Sequence, residues 1–406
     1  MYKKTTIRNT CIVGDGAHAS IARHEIGIAY LSSKNFNKDG INLQNVEYIS
    51  EEDYNKHFRE NSKALTKPIE NDLIFSIIGS IGGAYLYNKN DNFGLSSSVA
   101  ILRPNSEELH PNFLLYYLKS AYLQKWLDAI KSGSAQGFLS LEMIKSLPLT
   151  LPPLETQQKI ATILSTYDEL IENNKARIAL LEDMAAEVYK EWFVRLRFPG
   201  YEKVEVVDGL PMGWEKVKVE DVFKTSSGGT PSRLKEEEYY NGNIDWIKTG
   251  ELKDTFIHNT DEKITEMGLK NSSAKIFPPN TLLMAMYGVN IGQLGISTKK
   301  SCANQAVCVF NPIKSNEYSV YYAYFFFKLM RSYLFNISMG AAQQNLSQEI
   351  IKKINFIQPN LILLIKFNKL VESMFEEIKI LQEKNDILQS TRDLLLPRLI
   401  SGKLEV

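Results

Sequence analysis

The chain carries little with which to do chemistry. Its three cysteines, Cys11, Cys302 and Cys308, have no metal-ligand spacing and are odd in number, which argues against a zinc module or a disulfide scaffold and fits a reducing compartment. The five histidines are scattered, and His18, in the turn Val13-Gly14-Asp15-Gly16-Ala17-His18, reads as a surface turn residue before it reads as a ligand. No Walker A glycine-lysine loop occurs, so ATP hydrolysis has no motif. The run Gly79-Ser80-Ile81-Gly82-Gly83 lacks dinucleotide spacing and reads as a tight turn. An amino-methyltransferase tetrapeptide is missing too, since Phe277-Pro278-Pro279-Asn280 has the wrong order. Asp245 with Glu251-Leu252-Lys253 resembles a nuclease acid-lysine arrangement, yet the chain's other half has no carboxylates at matching places.

Two further absences bear on location and partners. No apolar run reaches the ~18 residues of a membrane span, since Ile354 to Phe367 is broken by Asn355, Gln358, Pro359, Asn360 and Lys366. The opening MYKKTTIRNT has no apolar segment of a signal peptide, so a cytoplasmic protein without a membrane partner is expected. Basic and acidic residues balance, 47 against 47, so the basic excess of a stand-alone non-specific DNA binder is absent. That balance leaves open a local basic groove, or a partner subunit that shares the electrostatic work.

What the chain does have is periodicity. From Leu154 to Phe198, apolar residues recur in steps of three and four: Ile160, Ile163/Leu164, Tyr167, Leu170/Ile171, Ile178, Leu181, Met184/Ala185 and Val188. Pro152-Pro153 and Phe198-Pro199-Gly200 punctuate this helix. Some forty residues at ~1.5 Å each give a rod of about 60 Å. A seam this narrow needs a partner, and the stretch from Leu361 to the C-terminus supplies one with Phe367, Leu370/Val371, Met374, Ile378, Leu381 and Leu388. Asn174 and Asn385 each interrupt a seam, as register-setting residues do. The competing expectation is that each helix packs on its own globular neighbour.

The regions between repeat one another. Gly133 to Leu154 lines up without gaps on Gly340 to Leu361, a constant offset of 207 residues, matching Gln136 with Gln343, Ser140 with Ser347, Glu142 with Glu349 and Pro152 with Pro359. Upstream, Ile77 to Gly82 corresponds to Met286 to Gly292, Ile101-Leu102-Arg103-Pro104 to Val309-Phe310-Asn311-Pro312, and Ala29 to Lys34 to Asp245 to Gly250. Strands are expected in Asp72–Ile78, Ala84–Tyr87 and Ser98–Leu102, and one helix over Asn112 to Lys131. The loops Asn35 to Pro68 and Thr255 to Pro279 share almost nothing. The expected fold is α+β: two mixed sheet-and-helix globules (1–150 and 199–357) alternating with two long helices (151–198 and 358–406). The helices pair as an antiparallel coiled coil, giving the repeat an approximate two-fold axis.

Duplicated frames with divergent loops suit two separate recognition tasks. The loops that do correspond carry groups suited to base edges and phosphates: Lys34 and Asn35, Lys248 and Thr249, Ser80, Tyr287 and Asn290, and the loops holding Ser134, Gln136, Gln343, Gln344 and Asn345. Each alone is equally well read as ordinary turn hydrogen bonding; the recurrence in both copies raises the set.

The whole chain resembles the specificity subunit of a Type I restriction-modification enzyme. The resemblance rests on Pro152-Pro153-Leu154-Glu155-Thr156-Gln157-Gln158-Lys159-Ile160, on Leu210-Pro211-Met212-Gly213-Trp214-Glu215 opening the second globule, and on Leu395-Leu396-Pro397-Arg398-Leu399 through Gly402 and Leu404. It implies that each globule is a target recognition domain reading half of a bipartite double-stranded DNA sequence, with the helices as spacers that dock two methyltransferase subunits. Restriction subunits would join that complex. It also implies that this subunit is non-catalytic and holds no cofactor, with S-adenosylmethionine, ATP and magnesium on the partners. If the helices set the spacing, four inserted residues would move one domain by ~6 Å, roughly two base pairs. The alternative is a coiled-coil scaffold without DNA binding. One departure is that the first copy starts at Met1 without the Gly-Trp-Glu lead, which implies either a short lead-in or a misplaced start and leaves its first strand unassigned.

Overall fold

The computed structural model describes residues 2–37, 40–60, 64–133, 137–314, 318–339 and 345–406, with the backbone alone at 130–133 and 339. Its contacts divide the chain into two units: Met1–Glu172 with Asp386–Val406, and Asn173–Asn385.

The first unit is built on a four-stranded antiparallel sheet in the order Cys11–Asp15, Val99–Pro104, Leu73–Ser76, Ala84–Leu86. Leu73, Phe75, Ala100 and Leu102 alternate toward one core with Phe113, Leu114 and Tyr117, as the two-residue period of a strand requires. Ile74, Val99 and Ile101 point to a second core with Leu31, Phe36 and Leu95. A smaller sheet orders Glu47–Ile49, Ile28–Leu31 and Phe93–Leu95, the last pair parallel. The helix expected over Asn112 to Lys131 is two helices, Pro111–Lys119 and Ala121–Gly133. Ser120 breaks it: its backbone is extended, and its hydroxyl donates to Tyr117 O at 2.7 Å while accepting from Leu123 N. One short polar side chain thus ends one helix and starts the next.

The second unit repeats the plan with a five-stranded sheet, Phe223–Ser227, Val307–Pro312, Leu282–Ala285, Leu294–Ser297, Thr255–Ile257. Its three-stranded sheet orders Lys263–Ile264, Tyr240–Ile247 and Ser301–Ala303. The divergent loop therefore supplies a sheet edge here, Thr255–Ile257, and a helix, Glu51–His57, in the first unit. The 207-residue offset holds in three dimensions: helix Leu141–Lys145 answers Gln348–Lys352, and strand Pro148–Leu151 answers Asn355–Gln358. Ser140 and Ser347 cap those helices identically, each accepting from the backbone N–H three residues on at 3.2 Å.

The first copy does have its opening strand. Lys3–Thr6 pairs with Pro148–Leu151 in the register by which Glu215–Lys218 pairs with Asn355–Gln358, so Tyr2 stands where the second copy has Trp214. An aromatic is kept at that place, while Lys3 stands where the second copy has Glu215.

The central helix runs Leu154–Tyr189 and passes into a π turn over Lys190–Val194; the C-terminal helix runs Leu361–Ile400. Gln157 fastens the first to its globule: fully buried, it accepts from His110 N and donates to Glu108 O and Pro152 O, all at 2.9 Å. The helices meet antiparallel within each unit. In the first, Ile160 and Leu164 share a core with Leu396, Leu399 and Ile400, and Asp168 accepts from Arg392. In the second, Asn174 Nδ2 donates to Asn385 Oδ1 at 2.8 Å, and Arg177 pairs with Glu377 at 2.6 Å. The seam does not serve the helix pair alone. Ala185, Tyr189, Phe367, Val371, Phe375 and Ile378 lie in one core with the globule's Tyr321, Tyr322 and Phe325, so the helices pack on each other and on their globule. Of the doublets Ile163/Leu164, Leu170/Ile171 and Met184/Ala185, the second member is the buried one each time. Among the described residues no helix is long and apolar enough to cross a membrane.

Candidate nucleic-acid interface

In each unit the frame brings the same three loops together. In the first, the chain leaves strand Ile28–Leu31 into a single 3-10 turn, Ser33–Asn35, with Lys34 exposed. The glycine turn lies beside it, since a Cβ placed on Gly79 would stand 3.8 Å from Ser33 Oγ. Exposed Ser80 forms part of that turn. The third loop joins where Ile78 bridges Phe138 and Ile77 O accepts from Leu139 N at 2.8 Å. In the second unit the corresponding turn is Thr249–Glu251, and Asn290 Nδ2 donates to Thr249 O at 3.2 Å. Tyr287 bridges Asn345, and Met286 O accepts from Leu346 N at 2.9 Å.

The turns need their glycines. Gly79 and Gly82 have φ of 72° and 100°, and Gly288 and Gly292 have φ of 77°, the left-handed region that side-chain-bearing residues avoid. Each turn is tied down from the helix behind it: Gln124 Nε2 donates to Gly82 O at 3.2 Å, and Arg331 Nε to Gly292 O at 3.1 Å. The second turn is one residue longer and raises Val289, 98% exposed, at its tip.

The expected contact residues differ in how free they are. Lys34 and Ser80 are exposed, and Tyr287 is at the surface. Asn290, Thr249 and Asn345 are half-buried. Lys248 is engaged, its Nζ donating to Glu262 Oε1 at 2.8 Å. Asn35 is buried and engaged at both ends of its amide: Oδ1 accepts from Ser32 N and Nδ2 donates to Asn42 O, both at 3.0 Å. It fastens its loop, as Glu251 does in the second unit by accepting from Lys248 N and Asp261 N. Ser134, Gln136, Gln343 and Gln344 lie outside the described residues.

The nuclease-like acids are also consumed by structure. Asp245, nearly buried, receives Lys263 Nζ at 2.9 Å and Thr260 Oγ1 at 3.3 Å. Burial raises the pKa of Glu251 while it serves as that cap. Burial likewise pushes the Cys11 and Cys302 thiols up to about 12, which keeps them from acting as nucleophiles near neutrality. Exposed His18 contacts Asp15 Oδ2 at 2.8 Å within its turn. Among the described residues, no three His, Cys, Asp or Glu side chains gather as a metal site.

Two arginines went unmarked in the sequence pattern. Arg23 lies on the ring of Tyr30, 4.1 Å from its centroid, and its Nε donates to Glu47 at 2.7 Å. Arg233 lies 4.0 Å from the centroid of Tyr240, backed by Trp246, and its Nη2 donates to Glu262 at 2.5 Å. Both precede the strand that runs into the first of the three loops. No spacing rule finds them, because their acidic partners come from the loops that share no sequence.

Two copies of one frame, each presenting the same three loops, define a duplicated recognition protein. Comparison with known proteins gives it a family. The model of the Type I restriction modification DNA specificity domain matches twice, over residues 26–183 and 211–362, and the chain belongs to that family. It is similar to the Type I restriction enzyme MjaIX specificity subunit of Methanocaldococcus jannaschii, 30% identical over 72% of this chain and 69% of that protein. It is also similar to the HindI specificity subunit of Haemophilus influenzae, 27% identical over 82% and 86%. A solved S subunit of a Type I restriction-modification system from M. genitalium shares the fold, with a TM-score of 0.62 at 18% identity over 98% of this chain and 96% of that one. The chain is a specificity subunit, a class that has no catalytic role of its own.

Proposed function

We propose that each unit reads one half of a bipartite double-stranded DNA target through its three converging loops. Lys34 and Ser80 serve the first unit, and Lys248, Thr249, Tyr287, Val289, Asn290 and Asn345 the second; Ser134, Gln136, Gln343 and Gln344 are further candidates from the sequence alone. The recognition domains are residues 1–150 and 199–357. The central (151–198) and C-terminal (358–406) helices act as spacer and as the docking site for two methyltransferase subunits. S-adenosylmethionine, ATP and magnesium belong to those partners and to the restriction subunits, and the complex works on DNA in the cytoplasm. The observation that carries this reading is the recurrence of one loop cluster on two equivalent frames, with different residues at the tips: Ser80 in one, Val289 in the other. A common frame holds the DNA and the differing tips tell sequences apart.

The test is selection from random duplexes by the subunit co-expressed with its methyltransferase subunit. The expected result is a split motif, two short specified blocks around an unspecified gap of fixed length. An intact complex that enriches nothing would overturn this reading in favour of a scaffold.

A further inference from the structure

The stacked arginines recur where the loops around them do not. Arg23 sits between strands Cys11–Asp15 and Ile28–Leu31, and Arg233 between Phe223–Ser227 and Tyr240–Ile247, the same place in the two copies. Their carboxylates also correspond. Glu47 stands opposite Tyr30 across an antiparallel pair. Glu262 immediately precedes Lys263, which stands opposite Asp245, and its carbonyl accepts from Trp246 N. Register equates Tyr30 with Trp246 through their parallel partners, Gly94 and Cys302. The two units thus each carry an arginine beside an equivalent buried ring and a cross-strand glutamate, with Arg233 5.8 Å from Trp246 and nearer, at 4.0 Å, to the additional ring of Tyr240.

A merely structural pair would not need this exposure. The Arg23 and Arg233 side chains are 39% and 47% exposed. Glu47 and Ile21 O take two of the guanidinium's five N–H donors in one case, and Glu236 and Glu262 take two in the other. Such a surface pair contributes little to stability. The ring and the carboxylate instead hold the guanidinium in place, so that little side-chain freedom is lost when its remaining N–H donors meet a ligand. In the second unit the same Glu262 carries Lys248 at 2.8 Å, which places Arg233 beside the first of the candidate reading loops.

We infer that Arg23 and Arg233 are the equivalent phosphate contacts of the two units. This rests on the DNA-reading function proposed above. Residues that tell two half-targets apart should differ between the units, whereas a residue kept in both does the task common to both, which is gripping the backbone. Phosphate, with no sequence information, is that common feature.

The experiment uses the complex with the methyltransferase subunit and a duplex it selects, measuring Kd from low to moderate salt. Arg23→Gln and Arg233→Gln are each expected to weaken binding about tenfold and to reduce the slope of log K against log salt by about 1. The selected motif should not change. Glu47→Gln, which removes the pair but keeps the arginine, should bind at least as well as the parent. Slopes unchanged in both arginine variants, an equal loss in Glu47→Gln, or an altered base in either half-target would each overturn the inference. Failure of the parent complex to prefer any duplex would bring down the DNA reading itself, a result distinct from a binding parent with indifferent arginines.

Discussion

The two units keep one frame and fasten it differently. Arg103 pairs with the buried carboxylate of Asp72 in the first, where the second has Asn311 and Thr281 making only neutral hydrogen bonds. The second unit places its ion pair elsewhere, between Arg331 and Asp254 behind the glycine turn, where the first uses the neutral Gln124. Asn35 closes the turn after the strand in one unit and Glu251 the corresponding turn in the other. Strand register, helix starts and the serine caps are held in common, while the side chains that pin the loops are exchangeable. The pins answer to local geometry, and many donor-acceptor pairs satisfy it.

The largest effect expected from breaking this pattern is at Asp72. Its side chain is 1% exposed and accepts from Arg103 Nε and Nη2 and from Ile69 N. Asp72→Ala should cost about 3 kcal/mol, because it leaves a partly buried cation unpaired. Thr281→Ala, at the matching place, should cost about 1 kcal/mol, the worth of a neutral hydrogen bond. Amide hydrogen exchange checks both, with faster exchange confined to Leu73–Ser76 and Val99–Pro104 for the first variant. Next comes the asparagine pair. Asn174→Leu alone should cost about 2 kcal/mol by stranding Asn385, and the double change to Leu should recover most of that in chemical denaturation. Arg331→Ala should cost about 1 kcal/mol, since the guanidinium is a third exposed, and should loosen the turn at Gly288–Gly292 in exchange measurements. A comparable effect is expected at Gly79→Ala, about 1 kcal/mol from the left-handed φ alone, because the added methyl meets only Ser33 Oγ at van der Waals distance. A shift of thermal midpoint measures it.

What the sequence made legible was the part set by apolar period and by glycine. The strands around Leu73, Ala84 and Val99, the 207-residue repeat, the long helices and the asparagine that interrupts each seam follow from spacing that one reads directly, whereas the bond between Asn174 and Asn385 comes from the structure. Hydrogen bonds of one residue decided what was not legible. Ser120 splits a helix whose apolar pattern runs through it, and Asn35 turns inward although a lysine-asparagine loop invites an outward reading. Arg23 and Arg233 escaped because Glu47 and Glu262 reach them from segments without common sequence. Tyr2 in place of Trp214 hid a strand that backbone register reveals.

The central claim is that the two units read separately. Lys248→Gln combined with Asn290→Ala alters the loop cluster of the second unit alone, and duplexes retained by the complex carrying both changes can be sequenced against those retained by the parent. The expected result is a changed or relaxed block on one side of the gap, with the other block and the gap length untouched. Changes in both blocks, or in neither while the complex still binds, would contradict the account.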